Sequence, residues 1–243
     1  MNKLGIGIMI ILLGMGMAFA MQPAQSWTQI SSGFYNSSPA ANLTTQGGNV
    51  TAANIAGNVS TTKWAGFYGN VSAGIVLTPG GLTNIFYKWN WTPGTNTGRL
   101  CAVPGTAFDW TTTTGATKAN IDSIWSFTTT DSDSATNTLV DAACVITEIA
   151  QKNVSSGAAV TTGTGGGDTF QTCAIKDGAA AAKTDFAFCG KITSATAFNG
   201  GTANYELIVP TNRTIGSTEK YYAWLELDKN RHFGAGFLFL SLI

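Results

Sequence analysis

The sequence predicts an all-β fold, a β-sandwich or Greek-key barrel of short antiparallel strands, preceded by an N-terminal signal helix. Three observations carry that expectation. Short β-branched and aromatic runs alternate with clusters of Gly, Asn, Ser and Thr along most of the 243 residues, which is the layout of many short strands joined by turns. Glycine occurs 29 times and proline 6 times, a balance that suits tight turns and bulges. Helical periodicity is scarce after Ala20, and the best candidate, Asn137–Ile149, places Val140, Val145, Ile146 and Ile149 equally well on a strand.

The first element is the segment 1–20. Met1-Asn2-Lys3 is followed by an apolar run from Leu4 that ends in Ala18-Phe19-Ala20. That layout predicts a secretory signal peptide cleaved after Ala20, leaving 21–243 as a single β-rich, glycosylated domain. An uncleaved anchor is the competing reading, although Gly5, Gly7, Gly14 and Gly16 weaken a spanning helix. Pilin-type processing after Gly5 would retain the segment as an assembly helix, but Leu4 stands where a basic residue is wanted. No second stretch approaches the roughly 20 apolar residues that span a bilayer. Membrane contact is therefore expected only through an uncleaved N-terminal segment.

Charge narrows the partners. Asp, Glu, Lys and Arg make up 11% of the chain, and 13 acids cancel 13 bases. A neutral, charge-poor chain has no overall field for nucleic acid. From Leu4 to Phe108 there is no acidic residue, and the cations are Lys63, Lys88 and Arg99. The same half is rich in N-x-S/T acceptors. Asn36, Asn42, Asn49, Asn58, Asn70 and Asn90 lie within it, with Asn153 and Asn212 further on. Covalent N-glycans at these positions would solubilise a surface left without ions.

Strand phase agrees with two of the acceptors. In Trp64–Leu77 one face carries Ala65, Phe67, Val71, Ala73, Ile75 and Leu77, and the other carries Trp64, Tyr68, Asn70 and Ser72. In Ile85–Trp91 the inward set reads Ile85, Tyr87, Trp89 and Trp91, opposite Phe86, Lys88 and Asn90. Side chains alternate with period two along a strand, so Asn70 and Asn90 point away from the expected core. Trp64 and Tyr68 then lie on the outward phase, where they stack on sugars or a partner, sit beneath a loop, or form the inner face of a second sheet.

Further strands are expected at Ile124–Thr128, Phe170–Ile175, Asp185–Ile192, Tyr205–Val209 and Lys220–Leu227. Thr111–Thr114 and Gly163–Gly167 read as loops. Four cysteines in an exported chain predict two structural disulfides. Cys173 and Cys189 fall on adjacent strand-like runs and could pair in a hairpin, leaving Cys101 with Cys144. The C-terminal run Phe233–Ile243 is apolar on both faces, since Phe237, Phe239 and Ile243 alternate with Leu238, Leu240 and Leu242. Such a strand is either buried between layers or donated as an assembly strand to a neighbouring subunit.

Catalytic signatures are missing. Gly163–Asp168 lacks the lysine of a phosphate loop, and neither G-x-S-x-G nor H-E-x-x-H occurs. Asp131-Ser132-Asp133 resembles a calcium loop only loosely and reads as a solvated polar turn. The single histidine, His232, reads as a surface residue. No metal, cofactor or catalytic residue is expected, although two of the 13 acids could still converge as in a glycosidase.

The run Gly57–Ser72 resembles a segment of exported archaeal cell-surface proteins. So do Ile85–Trp89, Asp131–Thr138 and Tyr205–Pro210. The resemblance implies a signal peptide, multiple sequons and a β-rich mature region, and assigns no catalytic residue. In general design the chain is also similar to glycosylated archaeal filament subunits that assemble through donated strands. The sequence thus points to a non-enzymatic, self-assembling subunit of an extracellular filament or surface array, whose partners are its own copies. The alternatives are a secreted carbohydrate-binding or adhesion module, and a pilin-like subunit that keeps its N-terminal helix.

Overall fold

A strand that is buried at nearly every position has cover on both faces, and three such strands form the middle of this protein. The structure is a computed structural model that describes residues 21–33, 42, 44, 46–54, 56–79, 84–95, 98–162, 170–178, 180–212 and 218–227. In chain order the strands begin with β1 (Gln22–Pro23), β2 (Trp64–Gly69), β3 (Gly74–Leu77), β4 (Tyr87–Asn90) and β5 (Gly98–Val103). Next come β6 (Thr114–Gly115), β7 (Glu148–Ile149), β8 (Lys152–Asn153), β9 (Ala159–Thr162) and β10 (Phe170–Lys176). The last five are β11 (Phe186–Lys191), β12 (Ala195–Thr196), β13 (Thr202–Ala203), β14 (Tyr205–Pro210) and β15 (Tyr222–Leu227). Two short helices, α1 (Lys118–Trp125) and α2 (Ala135–Thr138), lie between β6 and β7.

The main sheet runs β1-β15-β5-β11-β10-β6, with β9 also on the outer edge of β10. Its ladders are antiparallel throughout. One face presents Leu100, Ala102, Ala174, Phe186 and Phe188 to the larger core. The other presents Cys101, Val103, Cys173, Ile175, Ala187 and Cys189 to a second core. The β2–β14 pair lies across the first face, giving a sandwich-like, all-β arrangement as the sequence predicts. The Ile208 amide donates to Thr172 Oγ1 at 3.0 Å and ties the two layers together. Gly190 allows that approach, because a Cβ there would meet Leu207 Cδ2 at 2.7 Å.

Helix α1 closes the same core and was not foreseen. Its evidence is local: Thr117 caps it, exchanging hydrogen bonds with Asn120 in a capping box. Ile121 and Trp125, four apart, then share its buried face. Trp125 packs edge-on against Phe186 and Phe188 at 5.5 and 5.7 Å. The expected strand at Ile124–Thr128 is therefore corrected to the end of a helix. Buried Asp122 accepts from the Ala135 and Thr136 amides at 2.7 and 3.0 Å, so it caps α2. Helix α2 ends at Thr138, and the stretch from Asn137 to Ile149 is mostly irregular, with Val140 bridging to Ala159 and β7 at its end.

The run Trp64–Leu77 is two strands with different partners. β2 pairs with β14, whereas β3 pairs with β4 in a separate hairpin. The expected single phase breaks between them. Trp89 and Trp91 are covered, but Ile85 and Tyr87 of the expected inward set are exposed, because the hairpin projects beyond the core.

Candidate functional site

The cysteines stand in a row. β5, β11 and β10 place Cys101, Cys189 and Cys173 opposite one another on one sheet face. The disulfides join Cys101 to Cys189 and Cys144 to Cys173, which corrects the expected pairing. Cys173 and Cys189 are indeed neighbours in a strand pair, yet they do not bond. The reason is the alternation of antiparallel ladders, in which close pairs without hydrogen bonds alternate with wide hydrogen-bonded pairs. The Ala174 amide donates to Ala158, so that of Cys173 points the other way, toward β11. Cys173 and Cys189 thus form a wide pair, while Cys189 and Cys101 form a close one with Cα atoms 4.0 Å apart. Cys144 comes from the loop above, where its amide donates to Gly157 at 3.2 Å. Two disulfides are the mark of maturation in an oxidising environment. Among the described residues, no helix is long and apolar enough to cross a membrane.

The outer edge of β15 is closed from far away in sequence. β1 pairs Gln22 with Leu225 and Pro23 with Trp224, and the Ala24 amide continues the ladder to Ala223 at 2.8 Å. Pro23 lies between these hydrogen-bonded positions, so its missing N–H costs the ladder nothing. Met21 is buried in the second core. Trp27 packs on Phe67 at 4.7 Å and donates to the Tyr205 hydroxyl at 3.1 Å. Burial raises the pKa of that hydroxyl, opposed by the indole hydrogen bond. Tyr221, beside them, donates to the Pro210 carbonyl, and burial holds its pKa well above the usual tyrosine range. A cavity of about 260 Å³ lies between Pro23–Trp27 and Tyr221–Trp224. From Thr28 to Thr62, every described residue except Ser60 is exposed. The N-terminal segment is therefore a docked strand on a long tether that is exposed at nearly every described residue.

The tether ends in a clasp. Lys63 Nζ meets both Asp131, at 3.1 Å, and Asp133. Thr61 Oγ1 also donates to Asp133, at 2.7 Å. The Asp131–Asp133 turn is thus folded around a lysine, and Asn137 Nδ2 satisfies its carbonyls at Thr129 and Asp131. The Lys63 hydrogen bond lowers the pKa of Asp133 and raises its own. Trp64 follows directly, and its indole donates to the Asp133 carbonyl at 2.7 Å. It is 9% exposed and packs on Phe127. Of the outcomes its phase leaves open, it takes cover beneath a loop, the one that carries Asp133. Tyr68 is exposed, as its phase predicts.

Seven of the eight acceptor asparagines fall among the described residues. Asn42, Asn49, Asn58, Asn70, Asn90, Asn153 and Asn212 are all exposed. Two already serve their neighbourhood: Asn153 Oδ1 accepts from the Ser155 amide and hydroxyl, and Asn212 Nδ2 donates to the Trp125 carbonyl at 2.9 Å. A glycosylated amide nitrogen keeps one hydrogen, so that last bond is compatible with a sugar. Asn36, the segment 1–20 expected as a signal, the expected Gly163–Gly167 loop, His232 and the run Phe237–Ile243 expected as an assembly strand lie outside the described residues.

Among the described residues, no group of three or more His, Cys, Asp or Glu side chains could hold a metal ion. Asp109 is held below the usual carboxylate range by the Thr111 hydroxyl and amide, which makes it a turn residue. At this edge the sequence carries no sign of β1, since two residues that include a proline give no strand signal. No family model, curated protein or solved structure matches the chain.

Proposed function

We propose that the chain is a non-enzymatic, N-glycosylated structural subunit of an extracellular filament or cell-surface array, of the kind its sequence resembles. The observation that carries this reading is the sheet edge closed by β1. A strand that reaches its seat through some 35 residues, exposed at nearly every described position, can fill the same seat on a second copy at little cost in loop entropy. Exchange of an identical element is an economical route to assembly. The exposed acceptors support the rest: a tether without charge stays in solution when it carries sugars. Disulfides suit a subunit that must persist outside the cell.

The test uses the mature chain and native cell-surface material. Electron microscopy is expected to show ordered polymers, and the polymer mass per subunit is expected to exceed that of the bare chain. An excess of a synthetic peptide of residues 21–27 is expected to occupy the β15 edge and shorten the polymers. Dispersed monomers at every concentration would overturn the reading. A carbohydrate-binding module is the second reading, and one observation favours it: Tyr68 and Phe198 form an exposed aromatic pair. Sugar binding by the monomer that is lost on Tyr68→Ala would promote it.

A further inference from the structure

Tyr68 and Phe198 are 44% and 52% exposed, and their rings meet at 4.9 Å with an interplanar angle of 89°. Two bare aromatic rings in contact form an apolar shelf that asks for an occupant. The shelf is built from beneath. Tyr68 stands opposite Glu206 in the β2–β14 ladder, and buried Glu206 accepts the Phe198 amide at 2.6 Å. One residue thus faces Tyr68 across the strands and pins the backbone that carries Phe198.

Two residues beyond Tyr68 is Asn70, the acceptor of the sequon Asn70-Val71-Ser72. Asn204 fixes the backbone on both sides of it. The Asn204 amide donates to the Gly69 carbonyl at 2.8 Å, and its Oδ1 accepts from the Val71 amide at 2.9 Å. β2 ends at Gly69, and Asn70 beyond it keeps the exposed phase of Tyr68; residues i and i+2 in extended backbone project to one side about 7 Å apart. At that spacing a sugar linked to Asn70 Nδ2 starts within one pyranose length of the tyrosine. The apolar C–H face of a pyranose fits an aromatic ring, and the Tyr68 side chain is available for it at 44% exposure. Among the seven described acceptors, Asn70 alone has an aromatic residue two positions earlier. The others have Ala40, Gly47, Ala56, Lys88, Gln151 and Pro210 there. Asn36, outside the described residues, has Phe34.

We propose that the Tyr68–Phe198 shelf is the seat of the chain's own glycan, with the first pyranose residues of an Asn70-linked sugar stacked on Tyr68. The inference rests on the reading of the chain as N-glycosylated and adds an internal ligand to it. A tethered sugar meets the ring at an effective concentration of order millimolar, so it takes the shelf ahead of free saccharides. Bound this way, the glycan stiffens the end of β2.

A double-mutant cycle tests it in the full chain produced with its native glycans. Asn70→Gln and Tyr68→Ala are each expected to lower Tm by about 2–4 °C. Together they should lower it no more than either alone. In chain made without glycosylation, Tyr68→Ala should leave Tm unchanged within about 1 °C, and the upfield ring-current shift of the sugar protons should be absent. Additive effects in the glycosylated chain would overturn the proposal. So would a glycosylated Asn70 whose sugar protons are unshifted, or unglycosylated chain that binds free glycans or polymerises through Tyr68. Peptide mass analysis separates the two levels of failure. A bare Asn70 with other acceptors occupied overturns this inference alone, whereas eight bare acceptors overturn the glycoprotein reading as well.

Discussion

The two halves of this protein solve the problem of low charge in opposite ways. The half that follows Gly98 hides its apolar surface: β5, β10 and β11 are buried on both faces and stitched by two disulfides. The half that precedes it exposes its surface instead, through a tether, a two-stranded hairpin and most of the described sequons. The contrast separates stability from surface chemistry. Changes in the first region should alter folding, and changes in the second should alter what the protein meets.

The largest effect tests the stitched half. Removing the Cys101–Cys189 bridge, which closes a span of 88 residues, is expected to cost about 4.6 kcal/mol on the loop-entropy model. Removing Cys144–Cys173, which spans 29, should cost about 3.6 kcal/mol. Alanine pairs at each bridge should therefore lower Tm by on the order of 10 °C or more, with the first the larger. Thermal melting of both variants checks the order. Peptide mapping without reduction should recover those two linkages, and a Cys173–Cys189 peptide would break the ladder argument.

That example also shows what can be read from a sequence like this one. Phe170–Lys176, Phe186–Lys191, Tyr205–Pro210 and Tyr222–Leu227 were legible as strands because each is a run whose burial is dictated by its own composition. The linkage of the cysteines was not, because it depends on which side of β10 carries the hydrogen bonds. What covers Trp64 was left open for a related reason. Its cover comes from a loop some 70 residues away, whereas its neighbour Tyr68 is left bare by the same alternation that predicted both outward. α1 was hidden because eight residues carry too little periodicity, and its clearest mark is the spacing of Thr117 and Asn120. At the candidate site the acceptors were legible as motifs, but β1 is defined only by the edge it completes.

A smaller effect is expected at the clasp that joins the halves. The folded pKa of Asp133 is depressed, so its contribution is present above the ordinary carboxylate range near pH 4 and is lost as pH falls through the folded value. The pKa of Lys63 is raised, so its share is present below about pH 10.5 and is lost at higher pH. Both carboxylates are partly solvated, which limits the gain to under about 1 kcal/mol. Lys63→Met should lower Tm by about 1–3 °C between pH 5 and 9 and by nothing measurable near pH 2. A gap that persists at pH 2 would mean that the lysine acts through its packed stem rather than its charge.

The smallest effect is the sharpest statement about the exposed half. Ile30, Val50 and Val59 are almost fully exposed although apolar. In a core, removing such side chains costs 1 kcal/mol or more. If the tether only connects β1 to the body, Ile30→Ser, Val50→Ser and Val59→Ser should each change stability by less than about 0.5 kcal/mol. The triple variant should then melt with the parent. The same variant is informative in assembly, because a tether that merely spans leaves polymer formation unchanged. Loss of polymer without loss of Tm would show that these three side chains are buried against a neighbouring copy. The exposed half would then hide its apolar residues as the sheet does, one level of organisation higher.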